Sequence, residues 1–126
     1  MKQATREWIK KAESDFQLAS SLARRRKILV CEQTCFFCQQ SEEKYLKACR
    51  EEGGIRFPKT HDLEDLVHLL LPLEPLWSAL MPAAQHLTAF AVRFRYPGYD
   101  ATPKDVKKAL AHAKTIRTEA RLSFGL

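Results

Sequence analysis

The sequence has no long apolar run and very little glycine. No stretch reaches the roughly 18 apolar residues of a membrane span, and the first residues, MKQATREWIKKAE, lack the apolar core of a signal peptide. We therefore expect a cytoplasmic protein without membrane contact. Only 4 of the 126 residues are glycine. Because the abundant Ala, Leu, Lys, Arg and Glu lose little rotamer freedom in a helix, this composition favours an all-α fold.

Internal repeats, low-complexity tracts and a glycine-rich phosphate-binding loop are also absent from the sequence. Without internal repeats or low-complexity tracts, a repeat protein and a disordered chain are excluded. Without a glycine-rich loop, no sequence motif indicates nucleotide binding. A chain of 126 residues, 45% of them apolar, is long enough to build one core. We expect a single helical domain over residues 1–126.

Positive charge is in excess, with a formal net charge of +6. The resulting field attracts polyanions and acidic proteins, although charge alone does not identify a nucleic-acid partner. Part of this charge recurs at helical spacing near the C-terminus, at Lys107, Lys114, Arg117 and Arg121. We expect this basic stripe to be a solvated helix face.

The four cysteines fall in one segment, at Cys31, Cys35, Cys38 and Cys49, and their spacing places them near one helix face. Two interpretations are open. Buried free cysteines pack as small apolar side chains, whereas tetrahedral zinc needs four converging thiolates or a histidine from elsewhere. Disulfides are disfavoured because neighbouring positions on one helix hold the sulfur atoms in poor geometry. We expect packing, with free thiols and no metal site.

Apolar residues at three- and four-residue steps predict helices over about residues 5–26 and 31–52. A short third helix is predicted after Thr60, which can cap it, and a fourth begins at about Pro82. Thr102 is predicted to cap a last helix, and Pro103 to occupy its first position. The pattern predicts a four- to five-helix up-and-down bundle.

Three stretches of the chain resemble the HEPN family, the higher eukaryotes and prokaryotes nucleotide-binding domains. Residues 35–48, CFFCQQSEEKYLKA, are similar to the family's aromatic-x-x-Gln-Gln-x-x-Glu-Lys-x-x-Lys-Ala helix. Residues 58–63, PKTHDL, resemble its Lys-Thr-His-Asp-Leu segment, and residues 95–97, RYP, precede the last helix as in the family. The resemblance implies a helical bundle, frequent homodimers, and either nucleotide binding, pairing with a small nucleotidyltransferase, or RNA cleavage.

Ribonucleases of this family carry an arginine followed four to six residues later by a histidine. After Arg95 this chain reads YPGYDAT, without a histidine at that spacing, so we assign no catalytic residue. An Arg-x4-His pattern does occur at Arg56 and His61, but it precedes the third helix, where the family motif does not lie. For His61 both a structural hydrogen bond and catalysis are open, and a catalytic role for His86 is a further alternative.

Arginine and tyrosine cluster at the end of the fourth predicted helix. An arginine can bind phosphate oxygens with its fork of donors while a tyrosine stacks on a base. The alternative is that these arginines pair with Glu42, Glu43 or Asp100 and only fix the loop. Residues of the other two resembling stretches can extend the same cleft. We assign a candidate nucleotide- or RNA-binding set: Arg93, Arg95, Tyr96, Lys59, His61, Gln40 and Glu43.

The sequence therefore predicts a HEPN-type, non-catalytic module that binds nucleotides or RNA and uses no cofactor or metal. Its expected partners are a second copy of the chain, in a homodimer, and a separately encoded, small nucleotidyltransferase-like protein. Two alternatives remain open. One is a metal-independent endoribonuclease toxin of a toxin–antitoxin pair, with a divergent site that includes Arg95. The other is a structural dimerisation module.

Overall fold

The computed structural model describes residues 1–25, 27, 30–56, 59–94 and 96–126. Within these ranges the chain forms five α-helices and one short 3-10 helix, without a strand. The helices are α1 (Gln3–Arg24), α2 (Cys31–Gly53), α3 (Leu63–Leu70), α4 (Met81–Arg93) and α5 (Pro103–Ser123), and the 3-10 helix (Pro75–Leu80) precedes α4. The predicted all-α bundle is confirmed.

Helix α2 is central because it packs against each of the four other α-helices. Its most extensive contact is with α1, whose buried residues Ala12, Phe16 and Ala19 recur at the predicted three- and four-residue steps. At its C-terminus Gly54 adopts a left-handed conformation with φ of 66°, which glycine accepts without a steric penalty. The helix therefore ends at a glycine, one residue beyond the range predicted from the apolar spacing.

The start of α3 differs from the prediction. The helix begins at Leu63, and Thr60 is not its cap; the Thr60 hydroxyl donates to Asp65 Oδ2 at 3.0 Å and accepts from the Asp62 amide at 3.2 Å. The Leu63 amide donates instead to Thr88 Oγ1 of α4, at 3.1 Å. A neighbouring helix thus satisfies one of the amides at the start of α3 that have no partner within the helix.

Prolines and a capping box position the last two helices. Pro82 occupies the first turn of α4, where its missing amide hydrogen breaks no helical bond. At α5 the Asp105 amide donates to the Thr102 hydroxyl at 3.3 Å, and the Thr102 amide donates back to Asp105 Oδ2 at 2.9 Å. Pro103 opens the helix directly after Thr102. The predicted cap and first position of the last helix are confirmed.

The four cysteines are free and lie in the core, each no more than 7% exposed. Burial raises the pKa of Cys35 and of Cys49 to about 12, so both stay protonated near neutral pH. In the described part of the chain no group of three or more potential ligands is placed to hold a metal ion. The cysteines pack as small apolar side chains. No helix within the described ranges is long and apolar enough to cross a membrane.

Candidate functional site

A buried carboxylate on α2 organises the first group of candidate residues. Glu43 is only 4% exposed, and its Oε1 accepts from Gln39 Nε2 at 3.2 Å while its Oε2 accepts from Lys47 Nζ at 3.0 Å. These three residues are four apart on α2, so their side chains follow one face of the helix. Nδ1 of His61 lies 3.3 Å from both Glu43 oxygens. The helix face is thereby joined to the loop before α3.

The same face also holds the backbone of that loop. Gln39 Nε2 donates to the His61 carbonyl at 3.0 Å, and Gln40 Nε2 donates to Gln39 Oε1 at 2.9 Å. The His61 ring itself is 81% exposed, and its Nε2 has no hydrogen-bond partner in the described part of the chain. Glu43 therefore orients an imidazole whose outer nitrogen faces solvent. Lys59, two residues earlier, is exposed.

The second group lies at the end of α4. The Arg93 guanidinium carbon is 5.2 Å from the ring centroid of Phe90 and 5.2 Å from that of Phe94, and the two rings stack with centroids 5.7 Å apart. Arg93 forms no ion pair with any described carboxylate, so the sequence alternative of a pairing with Glu42, Glu43 or Asp100 does not apply to it. Tyr96 is 62% exposed, and Arg95 lies outside the described residues.

The structure therefore divides the predicted set into two groups. Gln40, Glu43 and His61 meet in one hydrogen-bonded network, whereas Arg93 lies on a pair of phenylalanine rings and contacts none of these three. The hydrogen bond from Leu63 at the start of α3 to Thr88 of α4 connects the two segments of chain that carry these groups.

Sequence reasoning missed a histidine pair between α4 and α5. The rings of His86 and His112 have centroids 4.7 Å apart and are tilted by 30°. Burial lowers the pKa of His112, and the charges of His86 and Lys108 lower it further. The two rings are therefore in contact across the interface of α4 and α5. Their distance in sequence gave no signal of this contact.

A second network was also missed, and we call Glu13, Tyr45, Arg117 and Arg121 the Glu13 network. Arg117 binds Glu13 through two bonds, Nη2 to Oε1 at 2.6 Å and Nε to Oε2 at 3.0 Å. The Tyr45 hydroxyl donates to Glu13 and accepts from Arg121 Nη1 at 3.2 Å. Burial raises the pKa of Glu13, but the bonds from Arg117, Tyr45 and Gln17 outweigh this effect and lower it to about 2.

The Glu13 network corrects the prediction for the basic stripe of α5. Lys107 and Lys114 are exposed as expected, but Arg117 and Arg121 are partly buried and directed at α1 and α2. For these two arginines the solvated-face prediction is wrong. The reason is that Glu13 and Tyr45 supply acceptors on the facing helices, and a pattern within one helix cannot reveal acceptors on its neighbours.

A further carboxyl group of α2 lies entirely inside the bundle. Glu42 is completely buried, and neither of its carboxyl oxygens has a hydrogen-bond partner among the residues that the structure describes. Burial raises its pKa well above the ordinary value, so the protonated form is favoured. Because it is inaccessible, Glu42 belongs to the bundle interior and not to a surface site.

Fold and surface together define a helical domain with an arginine and aromatic rings at the end of α4 and an oriented histidine before α3. The HEPN domain family matches residues 5–122, and the chain therefore belongs to the HEPN family. No curated protein matches the chain.

Two solved structures share the fold. TT1696 from Thermus thermophilus superposes with a TM-score of 0.81 at 20% identity, over 95% of this chain and 98% of that one. ST0689, described as an archaeal HEPN homologue, superposes with a TM-score of 0.75 at 24% identity, over 98% of each chain. At these identities the likeness establishes the fold.

Proposed function

We propose that this HEPN protein is a non-catalytic module that binds nucleotides or RNA and acts with a separate, small nucleotidyltransferase-like partner. The observation that supports the proposal is the environment of the Arg93 side chain. Its guanidinium has no described carboxylate partner and lies near the rings of Phe90 and Phe94, and Tyr96, three residues later in the chain, is exposed. Such a group can fork onto phosphate oxygens while a neighbouring ring stacks on a base.

Three residues of the other group extend the proposed contact area. Lys59 offers an exposed ammonium, His61 offers the outer nitrogen of an oriented imidazole, and Gln40 is only partly buried. The net charge of +6 adds a long-range attraction for a polyanion. A ligand longer than one nucleotide can use both groups, whereas a single nucleotide can use one.

The order of residues after Arg95 argues against catalysis. The first histidine after Arg95 is His112, far beyond the spacing of the ribonuclease motif, and its ring contacts that of His86. Metal-independent cleavage needs a base on the ribose hydroxyl and an acid on the leaving oxygen, on separate sides of one phosphate. We therefore assign phosphate recognition, and no cleavage, to the end of α4.

The first experiment measures binding of ATP and of a short single-stranded RNA to the full chain. Loss of a charge-assisted phosphate contact costs about 1.5–3 kcal/mol, so Arg93→Ala should weaken binding by roughly ten- to a hundredfold. Arg6→Ala is the matched control, because Arg6 is exposed on α1. Binding of RNA should weaken steeply as salt concentration rises. Wild-type protein incubated with RNA in chelator should leave the RNA intact.

The runner-up is a metal-independent endoribonuclease of a toxin–antitoxin pair. The observation that favours it is the oriented, solvent-facing imidazole of His61, because a carboxylate behind a histidine is the arrangement of a general base. If wild-type protein cuts RNA in chelator and His61→Ala does not, this alternative replaces the non-catalytic proposal. If the protein neither cuts nor binds at millimolar ligand, alone or with its partner, the structural-module alternative replaces it.

The homodimer is a separate part of the proposal. A single copy leaves several large apolar side chains in water, among them Leu76 at 87% and Leu122 at 61% exposure. We expect light scattering to give about twice the 14.5 kDa mass of the chain. A mass of one chain at all micromolar concentrations would contradict the dimer. Co-elution with a nucleotidyltransferase encoded beside this chain tests the second partner.

A further inference from the structure

A small cavity opens between the first turns of α2 and the last turns of α4. It has a volume of about 190 Å³. We call it the aromatic cavity, and its walls are Glu32, Gln33, Phe36, Phe90, Ala91 and Phe94. We propose that the aromatic cavity is a nucleobase subsite that selects guanine, a proposal that rests on the nucleotide or RNA binding proposed above.

The size of the cavity limits what can enter it. Pockets for drug-sized ligands start at roughly 300 Å³, so a cavity of about 190 Å³ takes one flat ring system and leaves a sugar and phosphate outside. A nucleobase has this shape. It also carries its sugar and phosphate at one edge, which allows the rest of the nucleotide to lie on the surface around the cavity.

The walls suit a flat aromatic ligand. Phe36 is 39% exposed, although it lies on the central helix of the bundle. Phe90 and Phe94 follow each other by one turn of α4, and their rings lie within 18° of parallel. Phe36 and the partly buried Phe94 thus border a surface opening, and Phe90, only 4% exposed, forms its inner wall. Base stacking on aromatic rings accounts for affinity without selecting a sequence.

Selection is supplied by the first turn of α2. Glu32 forms no hydrogen bond or ion pair with any residue that the structure describes, and Gln33 beside it is exposed. A carboxylate presents two acceptor oxygens side by side. Guanine presents two adjacent donors, N1–H and N2–H, whereas adenine, cytosine and uracil each place at least one acceptor beside the donor on that edge. Only guanine therefore satisfies both oxygens of Glu32.

Arg93 supplies a cation beside the same walls. Its guanidinium lies over Phe90 and Phe94, the two rings that α4 contributes to the cavity. A base inserted between Phe94 and Phe36 would leave its phosphate near that guanidinium, which can bind it through two parallel bonds. The cavity and Arg93 together therefore match a guanine nucleotide, free or at one position of an RNA.

The test compares GMP, AMP, CMP and UMP by calorimetry with the full chain. A bidentate contact to a base discriminates by about ten- to a hundredfold, and GMP should bind more tightly than the other three by this factor. Glu32→Gln keeps the size of the side chain but replaces one acceptor with a donor, so it should weaken GMP binding; because its amide matches the donor and acceptor of adenine, AMP binding should be maintained or strengthened, and the preference for guanine should be lost. Glu7→Gln is the matched control, an exposed glutamate on α1.

Variants of Phe36 test stacking independently of selection. Phe36→Ala should weaken the binding of all four nucleotides by roughly tenfold. Phe36→Leu keeps apolar volume but has no flat face for stacking, so a folded Phe36→Leu variant should lose affinity to the same extent. Circular dichroism and thermal unfolding establish that each variant is folded.

The outcomes separate this inference from the proposed function. Equal affinity for the four nucleotides, or a guanine preference that survives Glu32→Gln, overturns the guanine subsite. If RNA still binds in a salt-dependent manner and Arg93→Ala weakens it, the proposed function stands without the subsite. If no nucleotide and no RNA binds, both fail. A guanine preference lost in Glu32→Gln and retained in Glu7→Gln supports the subsite.

Discussion

The Glu13 network and the aromatic cavity both combine charged and aromatic side chains, yet they differ in how their charges are satisfied. In the Glu13 network, Arg117 forms two bonds to Glu13 and also lies 4.4 Å from the ring centroid of Phe16. Each of its charged groups has a partner on another helix. Glu32 of the aromatic cavity and Arg93 beside it have no ion-pair partner among the residues that the structure describes.

The comparison separates two uses of charge. A partly buried charge with a partner on a neighbouring helix fixes the distance between the two helices, and its removal leaves the partner unsatisfied inside the bundle. A charge that water reaches and that has no partner contributes little to stability and stays hydrated, so a ligand can bind it. We therefore expect changes in the Glu13 network to affect unfolding, and changes beside the aromatic cavity to affect binding.

The largest expected effect is the loss of Glu13. Glu13→Ala leaves Arg117 without its carboxylate and Tyr45 without an acceptor, so the free energy of unfolding should fall by about 3 kcal/mol at pH 7. Urea unfolding measures this. Glu7→Ala, an exposed change on the same helix, should stay within about 0.5 kcal/mol of wild type. A loss for Glu13→Ala as small as that of Glu7→Ala would contradict the comparison.

The pH dependence of the Glu13 effect has a defined sign. The folded-state pKa of Glu13, about 2, lies below the ordinary value of 4.5. A lowered pKa means that Glu13 contributes its stability above pH 4.5 and loses it as pH falls toward 2. The difference between wild type and Glu13→Ala should therefore shrink between pH 5 and pH 2.

The second largest effect concerns the buried carboxyl of Glu42, which has no partner among the described residues. Glu42 has a raised folded-state pKa, so wild type loses about 1.4 kcal/mol per pH unit above 4.5 until the folded pKa is reached. Glu42→Gln resembles the protonated acid and does not titrate. The variant should match wild type near pH 4 and exceed its unfolding free energy at pH 7, by an amount that the folded-state pKa sets. A difference that is constant from pH 4 to pH 7 would show that Glu42 does not titrate differently on unfolding.

The sequence revealed the helix faces and a helix cap, but not the packing that forms the Glu13 network and the aromatic cavity. Helix faces follow from apolar spacing within one segment, and the cap of α5 follows from adjacent residues, so both were predicted correctly. The link between Glu43 and His61 was anticipated only as two residues of one cleft. The contact of Arg117 with Glu13 and the cavity that Glu32 lines together with Phe90 and Phe94 each join distant segments. Such contacts depend on how helices pack against each other, which spacing within a single helix does not encode.

The third effect is smaller and concerns α5, the helix that carries Arg117 and Arg121. It tests whether destabilising α5 away from the Glu13 network lowers the unfolding free energy as much as Glu13→Ala does. Thr102→Ala removes the capping box at the opposite end of α5 from Arg121 and should lower the unfolding free energy by about 1 kcal/mol. Nucleotide affinity should not change. Thr118→Ala, an exposed change within the same helix, is the control and should be nearly neutral. If the two threonine variants lowered the unfolding free energy equally, the capping box would contribute no more to stability than an exposed side chain within the helix.

The smallest expected effect on stability belongs to Arg93. Its exposed contacts with Phe90 and Phe94 are of the cation–π type, so Arg93→Ala should lower the unfolding free energy by only about 0.5 kcal/mol. The effect of Arg93→Ala on the stabilisation by bound nucleotide should be larger. A nucleotide at ten times its Kd stabilises wild type by about 1.4 kcal/mol, and a tenfold weaker Kd reduces this to about 0.4 kcal/mol.

Thermal and urea unfolding with and without nucleotide measure both quantities on the same samples. Arg93→Lys keeps the charge but lacks the planar fork, so its ligand-induced stabilisation should lie between those of wild type and Arg93→Ala. Suppose instead that Arg93→Ala unfolds as readily as Glu13→Ala, or keeps the full stabilisation by nucleotide. Arg93 would then be a structural residue like Arg117, and the distinction between paired and unpaired charges would not separate stability from binding in this protein.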